Sequence, residues 1–204
     1  MEKFFSFKQV DYLPEGHTGA CYGMCRAITD SSIGDSIVKQ NKVIEIAELI
    51  KNKTLSQNFI ELAIETQNVL EQYFKETTAL PLEKNTIYIL GVTAKLSAGY
   101  FTKYSLASYL DIDSYFANHA VLLIGTDDGV VIFEPRAGVY VSNEDITKLN
   151  RYDIEHLVEQ TVSDQQKIYL SEIEIGYRNP DPNHTFLSHQ EAVNCNSSDV
   201  TIDI

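Results

Sequence analysis

The stretch from His119 to Glu134 constrains the fold more than any other part of this chain. Ala120-Val121-Leu122-Leu123-Ile124 is apolar throughout, Asp127-Asp128-Gly129 is a glycine-bearing turn, and Val130-Val131-Ile132-Phe133 is a second apolar run. Two runs of strand length joined by an Asp-Gly turn read as a β-hairpin, and the first run looks like a central strand. Thr86 to Val92 is a further β-branched and aromatic run, and Ala137 to Val141 follows the hairpin. Lys167 to Tyr177 sets Ile and Leu on one parity against polar residues on the other, which predicts a half-exposed strand.

The first half of the chain has the other periodicity. Residues 38 to 51 hold Val38, Val43, Ile46, Ala47, Leu49 and Ile50 near helical spacing, and residues 55 to 75 hold Leu55, Phe59, Leu62, Val69, Leu70 and Tyr73. These predict two amphipathic helices, the second stopped before Leu80-Pro81. Behind a short N-terminal arm, the turn-rich Leu13 to Gly19 segment predicts a loop leading into another helix that begins near Gly19. Ser142-Asn143-Glu144-Asp145 has the composition of a helix start, predicting a last helix through about residue 161. Helices first, then an antiparallel sheet, make an α+β domain with N-terminal helices packed on the sheet. The 204 residues suit one domain over 1–177, and the polar 178–204 segment is expected to be a flexible tail.

Charge and cysteine count narrow the function classes. Lys plus Arg number 16 against 29 Asp plus Glu, a net charge of −13, which disfavours wrapping nucleic acid or lying on an anionic membrane and favours a neutral or basic partner. Three cysteines, Cys21, Cys25 and Cys195, are an odd number, so thiol chemistry or burial outweighs a disulfide framework. No run approaches the roughly 18 apolar residues of a membrane span, and no cleavable leader is evident, so a soluble chain without stable membrane insertion is expected. A phosphate loop, zinc-like spacing and His-Glu-x-x-His are all missing, and neither cofactor nor metal is expected. Asp111-Ile112-Asp113 and Asp127-Asp128 read as solvated turn acids.

The chemistry centres on Gly19-Ala20-Cys21-Tyr22-Gly23-Met24-Cys25. A thiol in the first turn of a helix feels the positive end of the helix dipole, which favours the nucleophilic thiolate. The competing reading has Cys21 and Cys25, four apart, as small apolar residues on a buried helix face. A nucleophile needs a base, and the histidines are His17, His119, His156, His184 and His189. His156 falls in the last predicted helix and His184 and His189 in the tail, whereas His119 opens a strand rigid enough to hold an imidazole in place. The hairpin brings Glu134 back toward His119, where a carboxylate can fix the tautomer and stabilise the imidazolium. Structural roles compete here too: a histidine bonded at a strand end, and a surface glutamate beside Arg136.

Gly19-x-Cys21-x-x-Met24, Asn118-His119-Ala120-Val121 and Phe133-Glu134-Pro135-Arg136-x-Gly138 together resemble the YopT/AvrPphB family of papain-like cysteine proteases, bacterial effectors delivered into host cells. That family carries its nucleophile in a Gly-x-Cys block, its base in a His-Ala-Val block and its acid in a Phe-Asp-Pro-Asn-x-Gly block, in this order. Glu134 and Arg136 stand here for the family's aspartate and asparagine, and Cys25 for its usual serine. The blocks also resemble, less closely, the bacteriocin-processing peptidases.

The resemblance implies a papain-like fold and a cysteine protease with Cys21 as nucleophile, His119 as general base and acid, and Glu134 as orienting carboxylate. It implies a second oxyanion donor upstream of the nucleophile, for which His17 is the best available residue by position. It further implies a protein substrate, such as a host protein with a basic segment, and secretion by a bacterium into a host cell. Deamidase, transglutaminase and a catalytically silent binding module use or inherit the same triad and stand as alternatives.

Overall fold

The computed structural model describes residues 1–15, 19–29, 33, 34, 36, 41–68, 79–96, 115–162 and 167–178. The expected tail, from 179 onward, lies outside the described residues, as do His17, His184, His189 and Cys195. Within the described residues the protein is a mixed α/β structure with four α-helices and one antiparallel six-stranded sheet. The strands are β1 (Glu2–Ser6), β2 (Thr86–Leu96), β3 (Tyr115–Gly125), β4 (Val130–Glu134), β5 (Gly138–Ser142) and β6 (Lys167–Arg178), in the spatial order β1-β5-β4-β3-β2-β6. The helices are α1 (Cys21–Ile28), α2 (Val43–Thr54), α3 (Phe59–Asn68) and α4 (Arg151–Glu159).

The expected hairpin is the middle of this sheet. β3 and β4 pair Gly125 with Val130 through Leu122 with Phe133, closed by bonds from Thr126 to the Gly129 carbonyl. Because the hairpin is apolar on both parities, both faces need cover. Leu122, Ile124, Val131 and Phe133 pack with Met24, Ile28, Ile46, Ile50 and Phe59 of the first three helices, and Val121, Leu123, Val130 and Ile132 pack with Ile154, Leu157 and Val158 of α4. Each such buried aliphatic side chain contributes about 1.5–3 kcal/mol.

α1 and α3 touch at backbone distance. A Cβ on Gly23 would stand 1.9 Å from the Ala63 carbonyl oxygen, so the absence of a side chain at Gly23 lets the helix that begins at Cys21 lie tight against α3.

Several boundaries differ from the sequence reading. The N-terminal arm is β1, an edge strand on β5. Leu55 is the C-cap of α2 rather than the start of the next helix, which begins at Phe59. Asp128 is exposed as expected of a turn acid, yet its Oδ1 also accepts from the Val43 N–H at 2.9 Å, so the hairpin turn caps α2 from across the fold. Ser142 to Asp145 is not a helix start: Ser142 ends β5, and the Asp145 carboxylate caps only the 3-10 turn Ile146–Lys148. The last helix starts at Arg151, where Asn150 and Asp153 form a reciprocal capping box that satisfies both ends of the first turn. β6 runs through Arg178, one residue past the expected domain boundary. Among the described residues no helix is long and apolar enough to cross a membrane.

Candidate active site

Cys21 is the first residue of α1. The N-cap, Ala20, has no side chain able to satisfy the first-turn amides, so these are served by groups from elsewhere. Gln9, from the turn after β1, accepts the Ala20 N–H on Oε1 at 3.1 Å. Gln67, from α3, accepts the Gly23 N–H on Oε1 at 2.8 Å. Capping from a distance keeps the chain beside the thiol small, and Cys21 is partly exposed while Met24 and Cys25 are fully buried.

β4 ends at Glu134, so its pairing with β3 stops short of His119. In that gap the three residues singled out from the sequence come together. His119 Nε2 lies 2.7 Å from Glu134 Oε1, with both side chains buried. An ionised carboxylate only accepts, so Nε2 carries the proton and donates it to Glu134, which leaves Nδ1 of the neutral ring as its acceptor, in a ring that lines one cavity with Cys21. Glu134 Oε1 also accepts the Arg136 N–H at 2.8 Å, and the Arg136 guanidinium stands 3.6 Å away. Glu134 Oε2 is buried and accepts no hydrogen bond. The carboxylate is thus held on one oxygen by the imidazole and by its own turn.

The electrostatics follow from these contacts. Burial by itself raises the Cys21 thiol, but the hydrogen bond and charge of His119, with the Ala120 and Tyr22 backbone amides, outweigh it and bring the thiol below its ordinary value of 9.0. Burial pulls His119 down, yet its bonds to Cys21 and Glu134 and the Glu134 charge carry it above its ordinary value. Glu134 is lowered in turn, because His119 and Arg136 outweigh the cost of burying its carboxylate. Each shift favours a thiolate, an imidazolium and a carboxylate in one line.

A cavity of about 480 Å³ opens beside the thiol, lined by Cys21, Tyr22, Gln67, Gly91, Val92, His119, Ala120, Ser171 and Glu172. His156, the other described histidine, is on the exposed side of α4, stacked on Tyr152 and 3.7 Å from Glu159. Among the described residues no three or more His, Cys, Asp or Glu side chains are grouped to hold a metal ion.

The sequence reading missed Gln9, Gln67, Ser171 and Glu172. Gln9 is buried, its backbone N–H donates to Pro135 O at 2.8 Å, and its carboxamide lies against Gly19 and Ala20. It stands upstream of Cys21 but is remote from it in sequence, so nothing local marks it. Compared with known proteins, the chain matches no family model, no curated protein and no solved structure.

Proposed function

We propose that this chain is a papain-like cysteine hydrolase that cleaves a peptide bond in a protein through an acyl-enzyme, with Cys21 as nucleophile, His119 as general base and acid, and Glu134 as orienting carboxylate. The observation that carries the reading is that Cys21 and His119 line one cavity while His119 Nε2 lies 2.7 Å from the buried Glu134 Oε1. Helix dipole and imidazole both favour the ionised sulfur, and the carboxylate favours the imidazolium that partners it.

The thiolate attacks the carbonyl carbon, forming a C–S bond as the carbonyl π electrons move to oxygen. The Cys21 N–H is one donor for that oxyanion. Beside His17, which lies outside the described residues, Gln9 is a second candidate for the other donor: its carboxamide oxygen accepts the Ala20 N–H one residue before the nucleophile, and Nε2 is the donor end of the same group. The intermediate collapses as the C–N bond breaks and the His119 imidazolium gives its proton to the leaving amine. Water then gives a proton to His119 and attacks the thioester, releasing the acid and restoring the thiolate.

The three sequence blocks alone support the further reading of a secreted bacterial effector acting on a host protein, and a net charge of −13 favours a basic target segment. The test is incubation with a library of unstructured peptides, read by mass spectrometry. New termini that disappear with Cys21→Ala are expected. Equal cleavage by Cys21→Ala overturns the reading, while Gln-to-Glu conversion or Gln–amine cross-links without cleavage would instead mark a deamidase or transglutaminase on the same triad.

A further inference from the structure

Gln67 reaches the cavity because Gly23 has no side chain. A Cβ on Gly23 would stand 2.9 Å from Gln67 Cβ, so bare backbone at this position lets the end of α3 close on the first turn of α1. The Gly23 N–H is one of the helix-start amides with no acceptor in its own helix, and the Gln67 carboxamide meets it at 2.8 Å. A carboxylate there would set a second anion near the Cys21 thiolate and oppose it, which a neutral amide does not. An N–H can only donate, so it faces Oε1, and that fixes Nε2 as the donor end of the group. Gln67 thus lines one cavity with Cys21 and His119 in a set orientation.

The other polar side chains of this cavity give their hydrogens to the protein or have none to give. The Tyr22 hydroxyl donates to the buried Glu174 carboxylate, whose oxygens lie 2.9 and 2.8 Å away. Ser171 is the extra residue of a β-bulge, since β2 and β6 pair Gly91 with Glu172 but Val92 with Leu170, and its Oγ donates to the Gly91 carbonyl at 2.7 Å. His119 Nε2 serves Glu134, and the Glu172 carboxylate is an acceptor. Gly91, Val92 and Ala120 bring no polar side chain. Gln67 is the side chain that offers this cavity a neutral donor.

We propose that Gln67 is a substrate-binding residue whose Nε2 donates to a main-chain carbonyl oxygen of the peptide beside the attacked bond. It rests on Cys21 being the nucleophile, and it names what the cavity grips: peptide backbone, through a neutral hydrogen bond from amide to carbonyl. The grip asks for no charge on the substrate, which suits a cavity with His119, a cation when protonated, and the Glu172 carboxylate on its walls.

The test compares two chloromethyl ketones on the intact protein. Acetyl-alanyl-alanine chloromethyl ketone carries backbone carbonyls next to its reactive end, and a straight-chain alkyl chloromethyl ketone of the same length carries none beyond the ketone. With either agent the Cys21 sulfur forms a C–S bond at the methylene as chloride leaves. Rates at Cys21, read by peptide mass spectrometry and divided by those for glutathione, give a peptide-to-alkyl ratio. That ratio is expected to fall about tenfold in Gln67→Glu, which keeps an oxygen for the Gly23 N–H, and in Gln67→Met, which adds no charge. The alkyl agent's rate reports whether thiol and fold are intact. A Gln67 that only supports the helix start, or that acts on the thiol itself, changes both rates together, so an unchanged ratio in either variant overturns the proposal. If neither agent reacts with Cys21 faster than with glutathione and His119→Ala changes nothing, the nucleophile reading fails and takes this inference with it.

Discussion

Two cysteines one turn apart on α1 have opposite chemistry. Cys21 opens the helix and lines a cavity with His119, whose influence lowers its thiol. Cys25, on the same helix face, is wholly buried, and burial first, then the negative charges of Cys21 and Glu134, push its thiol well above the ordinary value. The dipole of the helix favours both thiolates to some degree, so it does not separate them. What separates them is the neighbour: a donor and cation beside one, only apolar packing and anions near the other. The first turn of a helix is a reactive position only when another element brings a charge partner to it.

The widest test of that contrast is alkylation by iodoacetamide near neutral pH. Cys21 is expected to react on the order of 10³-fold faster than Cys25, which becomes available only when the protein opens. His119→Ala should slow Cys21 about 10²-fold, since it removes the partner and leaves burial, which acts in the opposite direction. The sign of the pH response follows: the wild-type rate climbs with pH through a midpoint below 9.0, and the midpoint moves up in His119→Ala. Rates measured by peptide mass spectrometry that are the same in both proteins would remove His119 from the site.

A smaller effect separates binding of the oxyanion from ionisation of the thiol. Gln9→Glu keeps an oxygen for the Ala20 N–H but exchanges the Nε2 donor for an acceptor. Peptide turnover should fall about 10²-fold with little change in the alkylation rate of Cys21, because alkylation by iodoacetamide develops no oxyanion. Gln9→Ala loses the donor and the capping bond together, and should also cost about 1 kcal/mol in thermal unfolding. Parallel losses of turnover and alkylation in Gln9→Glu would make Gln9 a support of the helix start only.

How much of this was readable in the sequence follows from the range of each interaction. The hairpin is local: its turn and two apolar runs are adjacent, and register then brings Glu134 toward His119. Cys21 at a helix start is local too, as small residues flank it. Gln9 and Gln67 are different, since each satisfies an α1 amide from a remote element, and a glutamine in isolation carries no sign of the backbone group it meets. The bulge at Ser171 depends on which residue of β2 it faces, and only the absent Cβ of Gly91 gives it room. The false helix start at Ser142 failed for a related reason: a cap composition occurred where β5 had to finish pairing with β4, and the better capping box lay further on at Asn150.

The finest test acts on Glu134, whose charge sustains His119 on one side of the contrast and discourages the Cys25 thiolate on the other. Glu134→Gln keeps an oxygen to accept the His119 Nε2–H, so the line of contacts survives while the charge is lost. The imidazolium then deprotonates at lower pH than in wild type, where His119 is held above 6.5, and the alkaline limb of the turnover profile moves toward acid. About a tenfold loss of turnover is expected at neutral pH, smaller than for either other site residue because hydrogen bonding still orients the ring. Stability shifts the opposite way with pH. The lowered carboxyl of Glu134 contributes stability that is fully present above its ordinary value of 4.5 and is lost as pH falls through its folded value. Glu134→Gln has no such loss, so melting temperatures followed downward from pH 5 should decline less steeply than in wild type, and an unchanged slope would show that the carboxylate and imidazole do not share charge.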